Sequence, residues 1–275
     1  MDRRALPGYG WFGLATIVLA EVLLFQGVAL VATFFTAIVW TGYILLVDGL
    51  VWRIKGESLI RGRAKEMAFL AFFSIPFWLI FEAYNFHLNN WAYINLPESI
   101  ELRWLGYAWA FATILPCIFE TAELVQASGR FGSLTMRPLR ISEGTRQVIV
   151  VVGFFFSFMP LAAPSHVAPY LFGFVWVGFA LFLDPFNYSD DVISLLKELE
   201  VGRLETIASF CTAGLICGVL WEFWNYWAYA KWIYTVPIMQ NYKIFEMPLP
   251  GYLGFPAFAL ECLVAVTFVR SKLLS

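Results

Sequence analysis

Charge is what this sequence has least of. Asp, Glu, Lys and Arg make up only 14% of its 275 residues, against about 25% in a soluble domain. Histidine is nearly absent, with His87 and His166 alone. Two imidazoles are too few for a histidine-rich di-iron centre, and no metal or haem site is expected. The four cysteines, Cys117, Cys211, Cys217 and Cys262, sit in apolar segments without a C-x-x-C or zinc spacing. They read as small buried hydrophobes. No apolar segment carries a central Lys, which excludes a retinal Schiff base. There is no glycine-rich phosphate loop and no nucleophile elbow. Basic residues do not interleave with aromatics on a polar face, so no nucleic-acid partner is expected. A net charge of −2 points to no partner at all.

What is present is apolar sequence. Hydrophobic residues reach 60%, where about 45–50% is usual. Runs of about 18 or more residues recur, the length that crosses a bilayer core. The pattern predicts an all-α, polytopic integral membrane protein with about eight transmembrane helices. They fall at about 10–25, 28–52, 67–87, 104–126, 147–162, 167–184, 206–229 and 250–270. The run over 10–52 is divided at Gln26-Gly27. Arg3 and Arg4 precede an apolar stretch that is too long and lacks a cleavage site, so it reads as a first span rather than a signal peptide. The positive-inside rule sets the orientation. Of the 18 Lys and Arg residues, only Arg103, Lys231 and Lys243 fall in segments assigned outside. Both termini are therefore expected in the cytoplasm, with the chain in the cell's inner (cytoplasmic) membrane.

The sequence also repeats itself. Trp40 to Asp48 matches Trp176 to Asp184 in Trp, Gly, an aromatic, Leu and Asp. Ten residues after each Asp comes Ser-Leu, at Ser58-Leu59 and Ser194-Leu195. FEAYNF at 81–86 aligns with WEFWNY at 221–226. Trp91-x-Tyr93 with Pro97 then matches Trp232-x-Tyr234 with Pro237. Each copy closes with a Pro and a later Glu, Pro116 with Glu120 and Pro256 with Glu261. The series predicts two four-helix repeats, residues 1–130 and 131–275, in one membrane domain. Four spans per copy is an even number, so both copies take one orientation about an axis along the membrane normal.

Ionisable residues inside a span are costly and mark function by default. Glu82, Glu120, Glu222 and Glu261 are the candidate catalytic groups. Glu82 and Asn85 are three residues apart and share a helix face, as do Glu222 and Asn225. Burial among aromatics disfavours the carboxylate anion, so a neutral acid is at hand. The plainer reading of each Glu/Asn pair is polar glue between helices. Glu21 lacks a counterpart and Glu123 lies near the inner end, so both read as structural. Asp48 and Asp184 read as solvated helix ends. Asn85, Asn225, Trp91, Tyr93, Trp232 and Tyr234 are candidate substrate-binding residues. The four aromatics among them also fit an interfacial belt.

Trp91-x-Tyr93 with Pro116/Glu120, and Trp232-x-Tyr234 with Pro248, Pro256 and Glu261, resemble the motifs of the membrane-embedded carotenoid enzymes. These are the lycopene cyclase domain proteins and the related carotenoid hydratases. The resemblance touches about two thirds of the chain. The family has paired acids almost adjacent to Pro, whereas here four or five residues separate Pro from a single Glu.

The resemblance implies a lipid or isoprenoid substrate. It also implies a membrane enzyme, a lycopene-cyclase-like isomerase or hydratase in carotenoid biosynthesis, that uses carboxylate acid–base chemistry without a redox cofactor. The alternative is a transporter or lipid-binding protein whose central cavity is lined by the Glu/Asn pairs. An assembly factor without chemistry is a third reading.

Overall fold

Long apolar segments with few polar groups can satisfy their backbone in lipid only by coiling into helices. The computed structural model describes residues 4–189 and 191–274 and is mostly helical. The helices are α1 (Gly8–Phe25), α2 (Ala29–Lys55), α3 (Ala64–Leu88), α4 (Ile100–Ala112), α5 (Ile114–Ala127), α6 (Glu143–Ala162), α7 (Phe172–Asn187), α8 (Leu195–Val201), α9 (Glu205–Trp227) and α10 (Gly254–Lys272). Two short strand pairs accompany them: β1 (Trp91–Ile94) with β2 (Lys231–Tyr234), and β3 (Lys243–Ile244) with β4 (Met247–Pro248). Among the described residues, seven helical stretches are long and apolar enough to cross a membrane, α4 and α5 counting as one. The apolar helix α7 is shorter, at 16 residues. By helix geometry it spans about 24 Å, and a 3₁₀ turn at Ala168–Tyr170 leads into it.

Close-packed hairpins hold the periphery. α1 packs on α2 and α6 on α7. A Cβ on Gly13 would stand 2.5 Å from the Gly42 carbonyl oxygen, and one on Gly153 would stand 2.3 Å from the Phe182 amide. Only glycine lets these backbones touch, the small-residue packing expected of membrane helices. α5, α9 and α10 form the centre, with α2, α3 and α7 around them.

One stretch departs from the expected single helix over 104–126. The chain breaks at Thr113, between α4 and α5. Pro116 has no N–H to give to the Ala112 carbonyl, and its ring crowds that group. Ser74 of α3 enters the gap. Its hydroxyl donates to the Phe111 carbonyl and accepts from Leu115 N at 3.1 Å. Phe111 and Leu115 would bond directly in an unbroken helix, so the serine is inserted into the ladder.

Asp48 and Asp184 are not solvated. They are 0% and 3% exposed. Asp48 accepts from Tyr9 Oη at 2.6 Å, Ser58 Oγ at 2.9 Å and Ile60 N at 2.7 Å. Asp184 accepts from Ser194 Oγ at 3.0 Å and from the Leu195 and Leu196 amides, both at 2.8 Å. Those two amides open α8, where orphan N–H groups and the helix dipole favour a carboxylate. Each Asp folds the segment after its helix back onto the bundle.

Glu123 lies beside the far ends of α2 and α3, paired with Lys55 and Arg63. Arg270 of α10 meets Glu66 of α3 at 2.5 Å. One end of the bundle is thus basic and ion-paired, and the other carries the strands. Glu21 accepts from Trp224 Nε1 at 3.0 Å, a bond that ties α1 to α9. Cys117, Cys217 and Cys262 are buried free thiols, and Cys211 is a half-buried one.

Candidate active site

The site is assembled where α3 and α9 end. Asn85 sits one turn before the end of α3, and its amide bonds backbone, not ligand. Asn85 Nδ2 donates to the Trp91 carbonyl at 2.8 Å, while Oδ1 accepts from Asn90 N at 2.8 Å and Trp91 N at 3.2 Å. Asn225 does the same at the end of α9, with the Trp232 carbonyl at 2.8 Å and Trp232 N at 3.0 Å. Each Asn therefore pins the following strand against its helix. Each amide thus positions backbone through its oxygen and one of its two N–H groups.

The pinned strands pair with each other. β1 and β2 run antiparallel, with Trp91 opposite Tyr234 and Tyr93 opposite Trp232. Residues two apart lie on one face of a strand, and directly opposed residues share that face. All four rings consequently project to the same side. Trp91 is buried and the other three are half-buried.

Under this aromatic sheet lie the two carboxyl groups. Glu82 Oε1 accepts from Tyr93 Oη at 2.5 Å, Trp78 Nε1 at 2.8 Å and Trp91 Nε1 at 3.3 Å. Glu222 Oε1 accepts from Tyr234 Oη at 2.8 Å, and that hydroxyl itself receives Trp232 Nε1 at 3.0 Å. Glu222 is fully buried, and its Oε2 has no partner among the described residues. The difference has a local cause. Four residues before Glu82 stands Trp78, one turn away on the same face. Four residues before Glu222 stands Gly218, which packs against the Phe255 ring. Burial pushes the phenols of Tyr93 and Tyr234 well above their ordinary range, and the adjoining Glu carboxyl adds to it. Both tyrosines therefore remain donors.

Glu222 lines a cleft of about 1220 Å³, open mouth included. Its walls are aromatic, with Trp40, Trp78, Tyr107, Trp176, Trp221 and Phe258 among them, and Tyr93 and Trp232 at the strand end. Arg103 and Lys231 stand in the lining as well. Glu82 reaches the cleft only through the rings it binds. Glu120 and Glu261 line neither this cleft nor a second one beside Tyr170 and Met247. Both are fully buried; Glu120 lies within hydrogen-bonding reach of the Asp48 carboxyl group, and Glu261 within reach of the Phe179 backbone. Glu120 is one turn from Glu123 and its ion pairs, towards the basic end. The structure thus brings Glu82 and Glu222 together with the Trp-x-Tyr strands, and leaves Glu120 and Glu261 apart from them.

Sequence reasoning passed over Trp78 and Tyr107. Trp78 is detectable in principle, since a residue four before Glu82 shares its face. Tyr107 gives no comparable signal. No protein-family model, curated protein or solved structure matches the chain. The functional reading rests on the geometry.

Proposed function

We propose that this chain is a membrane-embedded enzyme that acts on an isoprenoid or carotenoid-like lipid by carboxylate acid–base chemistry, without a redox cofactor. The observation that carries this reading is Glu222. One carboxyl oxygen is held by Tyr234, the other is unpartnered, and the group stands in the wall of an aromatic cleft. A protonated Glu222 would pass its proton to a carbon–carbon double bond, forming a C–H bond and leaving a carbocation. The faces of Trp40 and Trp221 would stabilise that cation by cation–π attraction. The carboxylate left behind keeps the Tyr234 hydrogen bond, a charge-assisted bond stronger than the one it had as an acid. Loss of a neighbouring proton to a carboxylate completes an isomerisation or cyclisation with no net change in redox state. Attack by water on the cation would give a hydration instead. The motifs that resemble lycopene cyclase domain proteins and carotenoid hydratases fit this chemistry.

The same proposal takes the membrane domain as eight spans, with α7 and its 3₁₀ lead-in as the short one, in two parallel repeats at 1–130 and 131–275. Paired contacts support it. Asp48 with Ser58 corresponds to Asp184 with Ser194, Glu82 with Tyr93 to Glu222 with Tyr234, and Asn85 with Trp91 to Asn225 with Trp232. The β1–β2 register exchanges these partners as a two-fold axis would. The basic end faces the cytoplasm of the inner membrane in this reading, with both termini there.

A second reading is a transporter or lipid-binding protein. It is favoured by the lining that reaches Pro97 and Lys231 at the strand end. Mass spectrometry of lipids from cells with and without the protein separates the two. An enzyme leaves an unconverted isoprenoid in the deleted strain. A carrier leaves the same species, differently distributed.

A further inference from the structure

Basic residues are scarce at the strand end, where among the described residues Arg103, Lys231 and Lys243 stand. Two of these three line the aromatic cleft. Lys231 is committed, with Nζ on Glu246 Oε1 at 2.8 Å and on the Tyr226 carbonyl at 3.2 Å. Arg103 is different. Its Nε and Nη2 both donate to the Pro97 carbonyl, at 3.2 and 2.9 Å. Among the described residues no carboxylate pairs with it. The carbonyl fixes the guanidinium in place but leaves its charge unanswered. An unanswered cation at the mouth of an apolar cavity is costly, and it suits an anion presented by a ligand.

The helix bearing Arg103 supplies the track that leads inward. Tyr107 and Phe111 follow at four-residue steps on α4, on the same face, and stack with ring centroids 5.6 Å apart. Phe111 next meets Trp78 at 6.2 Å, and Trp78 bonds Glu82. A cation at the rim followed by a row of rings matches a molecule with one anionic head and a long unsaturated tail. We infer that the substrate is an isoprenoid amphiphile whose phosphate or carboxylate head is received by Arg103, with its chain along Tyr107 and Phe111 into the cleft that Glu222 also lines. This rests on the proposed isoprenoid site and narrows it, because a pure hydrocarbon leaves Arg103 unanswered.

The test is equilibrium binding to the purified full-length protein in detergent, read by quenching of tryptophan fluorescence. The probes are farnesyl phosphate, farnesol and inorganic phosphate. Wild-type protein should bind farnesyl phosphate about tenfold or more tightly than farnesol. Arg103→Ala should bring the two within about twofold, while Arg103→Lys keeps part of the gap because a point charge remains. Melting without ligand shows whether each variant is folded. Equal binding of farnesol and its phosphate, or an unchanged gap in Arg103→Ala, would overturn the anionic head and leave the isoprenoid cleft standing. Inorganic phosphate binding as tightly as farnesyl phosphate would overturn the amphiphile. Failure of both farnesyl compounds to bind would overturn the isoprenoid cleft and this inference with it.

Discussion

Tyr234 donates its hydroxyl proton to Glu222 Oε1 at 2.8 Å, and the carboxyl's second oxygen is left without a partner. Glu82, the other acid under the strands, has three donors on one oxygen. Glu222 is also the more deeply buried of the two, fully enclosed where Glu82 is half-buried. The two acids thus differ in their surroundings, and in the proposed reaction Glu222 is the proton donor.

Glu222→Gln should therefore remove lipid conversion while the protein stays inserted. Glutamine keeps the shape and still accepts from Tyr234, so the cost in stability should stay near the average of about 0.6 kcal/mol for an interhelical hydrogen bond. It delivers no proton, and the rate should fall about 10²–10⁴-fold. Glu82→Gln should be milder in rate, because Trp78, Trp91 and Tyr93 still have an acceptor. Product analysis in a complemented deletion strain, with melting of each purified variant, decides it. A wild-type lipid profile from a folded Glu222→Gln protein would return the residue to the role of polar glue.

Asn85→Ala and Asn225→Ala should loosen the strand pair. Each removes an acceptor and a donor for backbone groups that have no other side chain to turn to. Leaving buried donors or acceptors unpaired costs about 1–3 kcal/mol each. The loss should be larger at Asn225, which is fully buried, than at half-buried Asn85. Melting temperature and a red shift of tryptophan emission, as Trp91 or Trp232 meets water, report it.

These Asn and Trp-x-Tyr residues also mark how far the sequence can be read. The duplicated aromatic-Glu-x-aromatic-Asn-aromatic pattern singled out Glu82 and Glu222 as candidates, and the Trp-x-Tyr repeat marked the segments that follow, which the all-α reading left without strands. Hydropathy placed the helices, and the split at Gln26-Gly27 falls where α1 ends and Gly27 turns at φ 74°. The strand pairing was not legible, because Trp91 and Tyr234 are far apart in the chain and a four-residue strand has no periodicity to detect. Asp48 and Asp184 misled because a charged residue at a helix end is usually solvated. Their burial depends on Ser58 and Ser194 folding back, which spacing alone does not reveal. The unequal state of the two acids was equally hidden, since it turns on Trp78 in one helix and Gly218 in the other.

Alkaline pH should weaken the fold through Tyr93 and Tyr234. Burial raises both phenols above their ordinary value of 10.0, so the folded protein favours the protonated form. Their stabilising contribution is whole below pH 10, where the unfolded chain's tyrosines are also protonated. It declines as pH rises above that, because the unfolded chain ionises first. Each group contributes a slope of about 1.4 kcal/mol per pH unit in that window. Tyr93→Phe or Tyr234→Phe should flatten the fall in melting temperature above pH 10, even though each lowers it at neutral pH by losing a bond to Glu. An unchanged slope in both variants would show that other groups set the alkaline limit.

Ser74 should prove to be part of the cleft's construction, although it touches no ligand site. Its hydroxyl stands between the Phe111 carbonyl and the Leu115 amide, two groups that a regular helix would join to each other. Ser74→Ala takes the bridge away in a fully buried position. The gap cannot simply close, because Pro116 still lacks an N–H and still crowds the Ala112 carbonyl. Two buried backbone groups are then unpaired, at about 1–3 kcal/mol each, and α4 with Tyr107 and Phe111 is free to shift. The variant should melt lower and convert substrate less well. Pro116→Ala supplies the missing N–H and relieves the clash, so in its presence the helix can close across the gap. The double variant Ser74→Ala/Pro116→Ala should then lose less stability than the two single changes added together. Neighbours that share one network couple in this way by about 0.5–3 kcal/mol. Additive losses would mean that the proline does not hold the break open, and that the serine fills a gap set by the packing of α3 against α4 and α5.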